Sequence, residues 1–171
     1  MNFRSLIVIA LLLLLILPAS AIQYSRIMDN MTSNTAPSGF VAIANTTRDN
    51  DFANYGAWHV FDGSLSTVYE SYFRGSTVTF LQVEMPYYRV ARMYNVSFPT
   101  GELVNRAPSN WTFSGSNDNV TWMTLDTQVS QVFAAPETKS YPDSGWTSGI
   151  NVNPYKYYKF NSFWNIYSKF F

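Results

Sequence analysis

Apolar residues along this chain come in short runs broken every eight to twelve residues or so by turn chemistry, the pattern of a sandwich or barrel built from strands. "FVAIA" (40–44) is the first run. "VTFLQVEMP" (78–86) alternates cleanly, with Phe80, Gln82 and Glu84 on one face and Leu81, Val83 and Met85 on the other. Pro86, which has no N–H to give a ladder, is expected to stop that strand. "VARMYNVSFP" (90–99) predicts another, with Tyr94, Val96 and Phe98 opposite Met93, Asn95 and Ser97. "NWTFSGS", "VTWMTLD", "QVSQVFAA" and "YKYYKFNS" complete the strand candidates. His59 lies in a further strand-like run. The segment 136–154 is rich in Pro, Gly and Ser and reads as one long loop. No segment holds a 3.6-residue period long enough for a globular helix, so the expected class is all-β.

The start departs from this rhythm. Arg4 precedes an unbroken apolar stretch from Leu6 to Leu17, then Pro18, then Ala19-Ser20-Ala21. Those are the three parts of a secretory signal peptide helix, with cleavage after Ala21. The stretch falls short of the roughly 20 residues that a membrane span needs. The expected organisation is a signal peptide at 1–21, a lead-in at 22–39, a domain at 40–161 and an atypical or truncated tail at 162–171. The predicted location is extracellular, secreted or surface-attached, with membrane contact only through an uncleaved signal segment.

Composition sharpens this. Aromatics reach 18% while charged residues make up only 13%, so Ser, Thr, Asn and Tyr must cover much of the surface. Formal net charge is zero and no basic run occurs, which leaves nothing to attract a phosphate backbone. Nucleic acid is therefore excluded as a partner. Cysteine is absent, so the fold must rest on burial, and thiol catalysis and thiolate metal sites are ruled out. Glycosylation sequons occur at Asn30, Asn45, Asn95, Asn110 and Asn119, in a chain rich enough in Asn, Ser and Thr to produce most of them by chance.

Four segments in order, "AWHVFDGSLSTVYES", "FLQVEMP", "APSNWTFSGSNDNVTWMTLDTQ" and "YKYYKFN", together resemble the discoidin, or coagulation-factor type C, superfamily of galactose-binding-like jelly rolls. Family 32 carbohydrate-binding modules belong to it. The resemblance implies an antiparallel β-sandwich with ligands taken by loops at one end. It also implies that Trp111, Phe113, Trp122 and Leu125 point into the core and that "GSNDN" is the turn between their strands. Asn and Asp suit such a turn because they bond the local backbone and accept positive φ.

Within that resemblance, "FDGSLST" is similar to a calcium loop. Asp62 would give a carboxylate oxygen, Ser64 a backbone carbonyl and Thr67 a hydroxyl or carbonyl to a structural Ca2+. The same residues also read as an Asp-Gly turn that caps itself. The family's closing strand with its glutamate has no counterpart in "NSFWNIYSKFF". For a ligand, Trp146 in a polar loop is the candidate stacking platform, or else a plug folded onto the sheet. Arg106 is a candidate hydroxyl-binding fork, and Tyr88 and Tyr72 are looser candidates. Catalysis is not expected. His59 is the only histidine and reads as structural, no nucleophile elbow accompanies it, and no pair of carboxylates is spaced for glycoside hydrolysis. The expected function is a binding module for a glycan or glycoprotein at a cell surface. The alternative is a structural or adhesion protein of a cell or virion surface that packs on protein without sugar.

Overall fold

The structure is a computed structural model that describes residues 28–64, 66–71, 78–98, 107–142 and 151–162 in full, and the backbone of Tyr167–Phe170. The strands are β1 (Val41–Ala44), β2 (Tyr69–Glu70), β3 (Thr79–Arg89), β4 (Tyr94–Phe98), β5 (Trp111–Ser116), β6 (Met123–Gln128), β7 (Glu137–Tyr141), β8 (Tyr155–Ser162) and β9 (Tyr167–Phe170). They form a five-stranded sheet, β1-β3-β8-β5-β6, and a four-stranded sheet, β2-β9-β4-β7. Every pairing between these strands is antiparallel.

Alternation decides what lies between the sheets. Leu81 faces Phe160 across the β3–β8 ladder, and Val83 faces Tyr158. All four are buried, as are Tyr94, Val96 and Phe98 of the other sheet. Trp111 is fully buried against Phe160, Phe133 and the edge of Tyr141. Phe113 stacks between Tyr94, at 4.4 Å, and Tyr158, at 5.5 Å. At about 1.5–3 kcal/mol for each large apolar side chain taken out of water, this aromatic interior is the main force holding a chain with no disulfide.

A polar chain runs through the same interior. The Trp111 indole N–H donates to Tyr94 Oη at 2.7 Å, and that hydroxyl donates to Asp126 Oδ2, also at 2.7 Å. Gln128 Nε2 donates to the same carboxylate, Gln131 Nε2 to Gln128 Oε1, and the Tyr141 hydroxyl to Gln131 Oε1. Burial raises the Tyr94 pKa far above the ordinary phenol value, so the hydroxyl stays a donor.

Several expectations are corrected. Pro86 does not stop β3, which runs on to Arg89. Pairing with β1 ends at Glu84, and the β8 register shifts between Glu84 and Arg89, so no ladder bond is asked of the missing N–H. His59 is in no strand. Residues Ala57–Phe61 form a 3₁₀ turn, directly after a short helix α1 (Phe52–Tyr55) whose first turn is capped by Asp51. "QVSQVFAA" makes no strand beyond Gln128. Val129 and Val132 are exposed, Phe133 alone is buried, and Ser130 has φ +54. The segment read as one long loop contains β7, a polar edge strand paired with β4 and joined to it by a Ser97–Thr138 hydroxyl contact of 2.7 Å.

Trp122 is not core. It lies on the outside of the five-stranded sheet, half-exposed, with Lys159 Nζ 3.6 Å from its ring centroid. Trp122 and Leu125 are three residues apart, and an odd spacing cannot keep two side chains on one face of a regular strand. A bulge then buries both Leu125 and Asp126, since Ser114 faces Thr124 while Phe113 faces Asp126.

The tail is not left over. It supplies β9, which pairs with β2 on one side and β4 on the other. The signal segment lies outside the described residues. The described part of the lead-in is bound to the domain. Met31 is buried and its N–H donates to Phe61 O, while Asn34 accepts from the Trp58 N–H through its side chain and from the Ala42 N–H through its carbonyl.

Candidate functional site

The Asp62 loop is built by a short tether. Gly63 takes φ +75, which turns the chain so that the Ser64 N–H donates to Asp62 Oδ1 at 2.8 Å. The Thr67 hydroxyl donates to Oδ2, and His59 Nδ1 stands 3.1 Å from the same oxygen. His59 Nε2 is 2.8 Å from Ala53 O. A carbonyl can only accept, so Nε2 donates, and the Nδ1 contact is an ion pair whenever that nitrogen also carries a proton. The ring thus ties α1 to the loop, a structural use of the chain's one histidine.

Of the residues that the resemblance assigns to calcium, Asp62 and Thr67 are brought together, and Ser64 meets the carboxylate through its N–H. In this arrangement the Asp62 carboxylate serves its own loop. Both oxygens of the one carboxylate already accept hydrogen bonds. Among the described residues no three His, Cys, Asp or Glu side chains gather as a metal site. Calcium takes six to eight oxygens and gains most from carboxylates. The loop instead closes on itself.

The "GSNDN" connection is likewise closed. Asp118 Oδ1 accepts from the N–H groups of Val120 and Thr121, and these hold its carboxyl below the usual carboxylate range. Ser116 Oγ accepts from the N–H groups of Asp118 and Asn119, and Asn119 takes φ +60. Asn117 then straps this turn to the start of β8, donating to Pro154 O and accepting from the Lys156 N–H. These bonds occupy the backbone N–H groups from Asp118 to Thr121.

An open surface lies beside it. Where β3 runs past β1, its side chains lose their cover. Tyr87 is 66% and Tyr88 58% exposed, whereas every other described ring except Phe52 is at least partly buried. The Arg89 guanidinium lies 5.5 Å from the centroid of Tyr87. Arg92 and Met93 follow, both exposed. Under this overhang the backbone is fixed. The Tyr158 hydroxyl donates to Arg89 O at 2.6 Å and accepts from the Ala91 N–H at 2.9 Å, while Asn151 Nδ2 donates to Ala91 O at 2.9 Å. Tyr158 and Asn151 are both buried, and burial pushes the Tyr158 phenol up to about 12. The overhang is therefore a rigid ledge with two exposed rings and two guanidinium groups.

Of the predicted ligand residues, Tyr88 is on this ledge. Trp146, Arg106 and Tyr72 lie outside the described residues. The described flanks of the Trp146 segment are tied to the ledge end, since Tyr141 pairs with Tyr94 and Asn151 bonds Ala91. Thr79 and Trp111, the first strand residues after the segments of Tyr72 and Arg106, both pair with Ser162 at the opposite end. Tyr87, Arg89 and Arg92 were missed by sequence reasoning, although interleaved aromatic and basic residues in "PYYRVARM" are a readable signal once the strand is allowed to continue past Pro86.

No protein-family profile and no curated protein matches this sequence. Solved structures do match in shape. CpGH89CBM32-5 from Clostridium perfringens, in complex with GalNAc-β-1,3-galactose, aligns with TM-score 0.62 at 11% identity, over 77% of this chain and 93% of that one. The F5/8 type C domain of a Bacteroides fragilis protein aligns with TM-score 0.61 at 10% identity, covering 82% and 93%. The family 32 module of C. perfringens NanJ, in complex with galactose, gives 0.58 at 10%, covering 77% and 91%. Among these structural neighbours are carbohydrate-binding modules. Two facing antiparallel sheets, an aromatic interior and these likenesses agree: the fold is the galactose-binding-like discoidin β-sandwich.

Proposed function

We propose that this chain is an exported binding module that recognises an extracellular glycan on the ledge Tyr87–Met93. The observation that carries the reading is the pair of exposed tyrosines on a clamped backbone. A pyranose presents an apolar face that stacks on an aromatic ring, and its hydroxyls suit the forked donors of arginine. A clamped backbone means that little conformational freedom is lost on binding, so even a small contact yields usable affinity. Recognition of this kind is weak per site and gains from several copies acting together. That galactose and GalNAc-β-1,3-galactose are bound by modules of the same fold supports a saccharide over a protein surface as the ligand.

A glycan array probed with the exported form tests this, alongside the variants Tyr87→Ala and Tyr88→Ala. At least one glycan should be retained. Loss of a stacking ring, at about 1.4 kcal/mol, should weaken it about tenfold. Retention of no glycan, or binding by both variants at the strength of the unaltered chain, would sink the proposal.

A further inference from the structure

The cations of this molecule are not all treated alike. Arg48 is paired with Glu70 at 2.7 Å, Lys156 with Glu84 at 2.8 Å, and Lys139 lies 3.8 Å from Glu137. Lys159 meets no carboxylate among the described residues but lies over Trp122 and Phe80. Arg89 and Arg92 differ from all of these. Both are exposed, and neither meets a carboxylate among the described residues. The nearest acid in the β3 sequence, Glu84, is already occupied by Lys156. On a chain of zero net charge, the ledge thus carries two positive charges within four residues and no described acid to offset them.

Two features separate this pair from ordinary solvated arginines. The chain between them is pinned from below by the Tyr158 hydroxyl and the Asn151 amide, so the two side chains start from fixed points. Arg89 also rests against the Tyr87 ring, which orients its guanidinium without using up its N–H groups. Free guanidinium forks next to exposed rings match a ligand with both a stacking face and an anionic group.

We infer that the ledge formed by Tyr87, Tyr88, Arg89 and Arg92 selects acidic saccharides, those bearing a carboxylate or sulfate, over neutral ones. This rests on the glycan-binding reading and narrows it. The rings take the sugar face and the two arginines take the anion. Calorimetric titration or affinity electrophoresis of the whole exported chain against polygalacturonate, chondroitin sulfate and a neutral galactan would test it. One or both acidic polymers should bind, and which of them does distinguishes carboxylate from sulfate. Added salt should weaken that binding. The double variant Arg89→Gln/Arg92→Gln should lose about tenfold or more in affinity. A control double variant of equal charge, Lys139→Gln/Lys156→Gln, should lose much less, and thermal midpoints establish that both variants fold. Equal or tighter binding of the neutral galactan, or equal loss in the two double variants, would overturn the inference while leaving the glycan-binding reading intact. Failure of all three polymers together with an empty glycan array would remove both.

Discussion

Asp62 shows how far one residue's surroundings decide its chemistry. The motif "FDGSLST" can be drawn as a calcium loop or as a self-capped turn, and the two differ in where the lone pairs of one carboxylate go. Here they go to the Ser64 N–H and the Thr67 hydroxyl, with His59 alongside. A structural ion present at a thousand times its dissociation constant would add about 4 kcal/mol and several degrees to the melting midpoint. The expected result is a midpoint that does not move when EDTA replaces calcium. Asp62→Ala, by contrast, should cost about 1–3 kcal/mol with or without the ion, since it strips the acceptor from donors inside the loop. A drop of several degrees in EDTA that Asp62→Ala abolishes would establish the calcium loop instead.

At the level of elements, close approach matters as much as pattern. Gly115 of β5 lies under the ring of Tyr155, and a Cβ there would sit 2.6 Å from Tyr155 Cγ. That ring is itself buried and held edge-on to Tyr158 at 5.9 Å, so it has little room to yield. Gly115→Ala should therefore destabilise the domain by about 1–3 kcal/mol, the range for overpacking, as read by chemical denaturation. An unchanged midpoint would mean that the β5–β8 contact is looser than it looks. Elements with both faces declared were legible: β3, β4 and β8 alternate in the sequence as they do in the fold, and β8 spans the predicted residues. Elements whose identity depends on a neighbour were not. β7 is polar because it is an edge strand, and it is a strand only because β4 lies beside it. Trp122 looks like core until the Leu125 bulge and the Lys159 contact are known. The ledge was half legible: Tyr88 was singled out, but a proline rule that holds for central ladders concealed its partners Tyr87, Arg89 and Arg92.

For the whole molecule, the decisive strand is the last. In the four-stranded sheet β9 sits between β2 and β4, so that sheet is not continuous until the end of the chain is in place. Its pairings join Glu70 to Tyr167, Tyr69 to Ser168, Ser97 to Lys169 and Val96 to Phe170. The sequence "YSKF" does not announce this, since four alternating residues carry little pattern and the segment lacks the glutamate that the resemblance leads one to seek. Removing residues 163–171 would strip β2 of its described strand partner and open one side of β4, whose Val96 and Phe98 are buried. At about 1 kcal/mol for each backbone bond, plus the apolar cover lost, the change consumes much of the roughly 5–15 kcal/mol that holds a domain together. A chain ending at Ser162 should show no cooperative thermal transition and should bind a hydrophobic dye, whereas the full chain should melt in one step. A truncated chain that melts cooperatively within a few degrees of the full one would show that the five-stranded sheet carries the fold alone. Because the ledge is clamped by Tyr158 of that sheet, such a chain should also keep the binding proposed for the ledge, so binding and melting measured together separate the two halves of the sandwich.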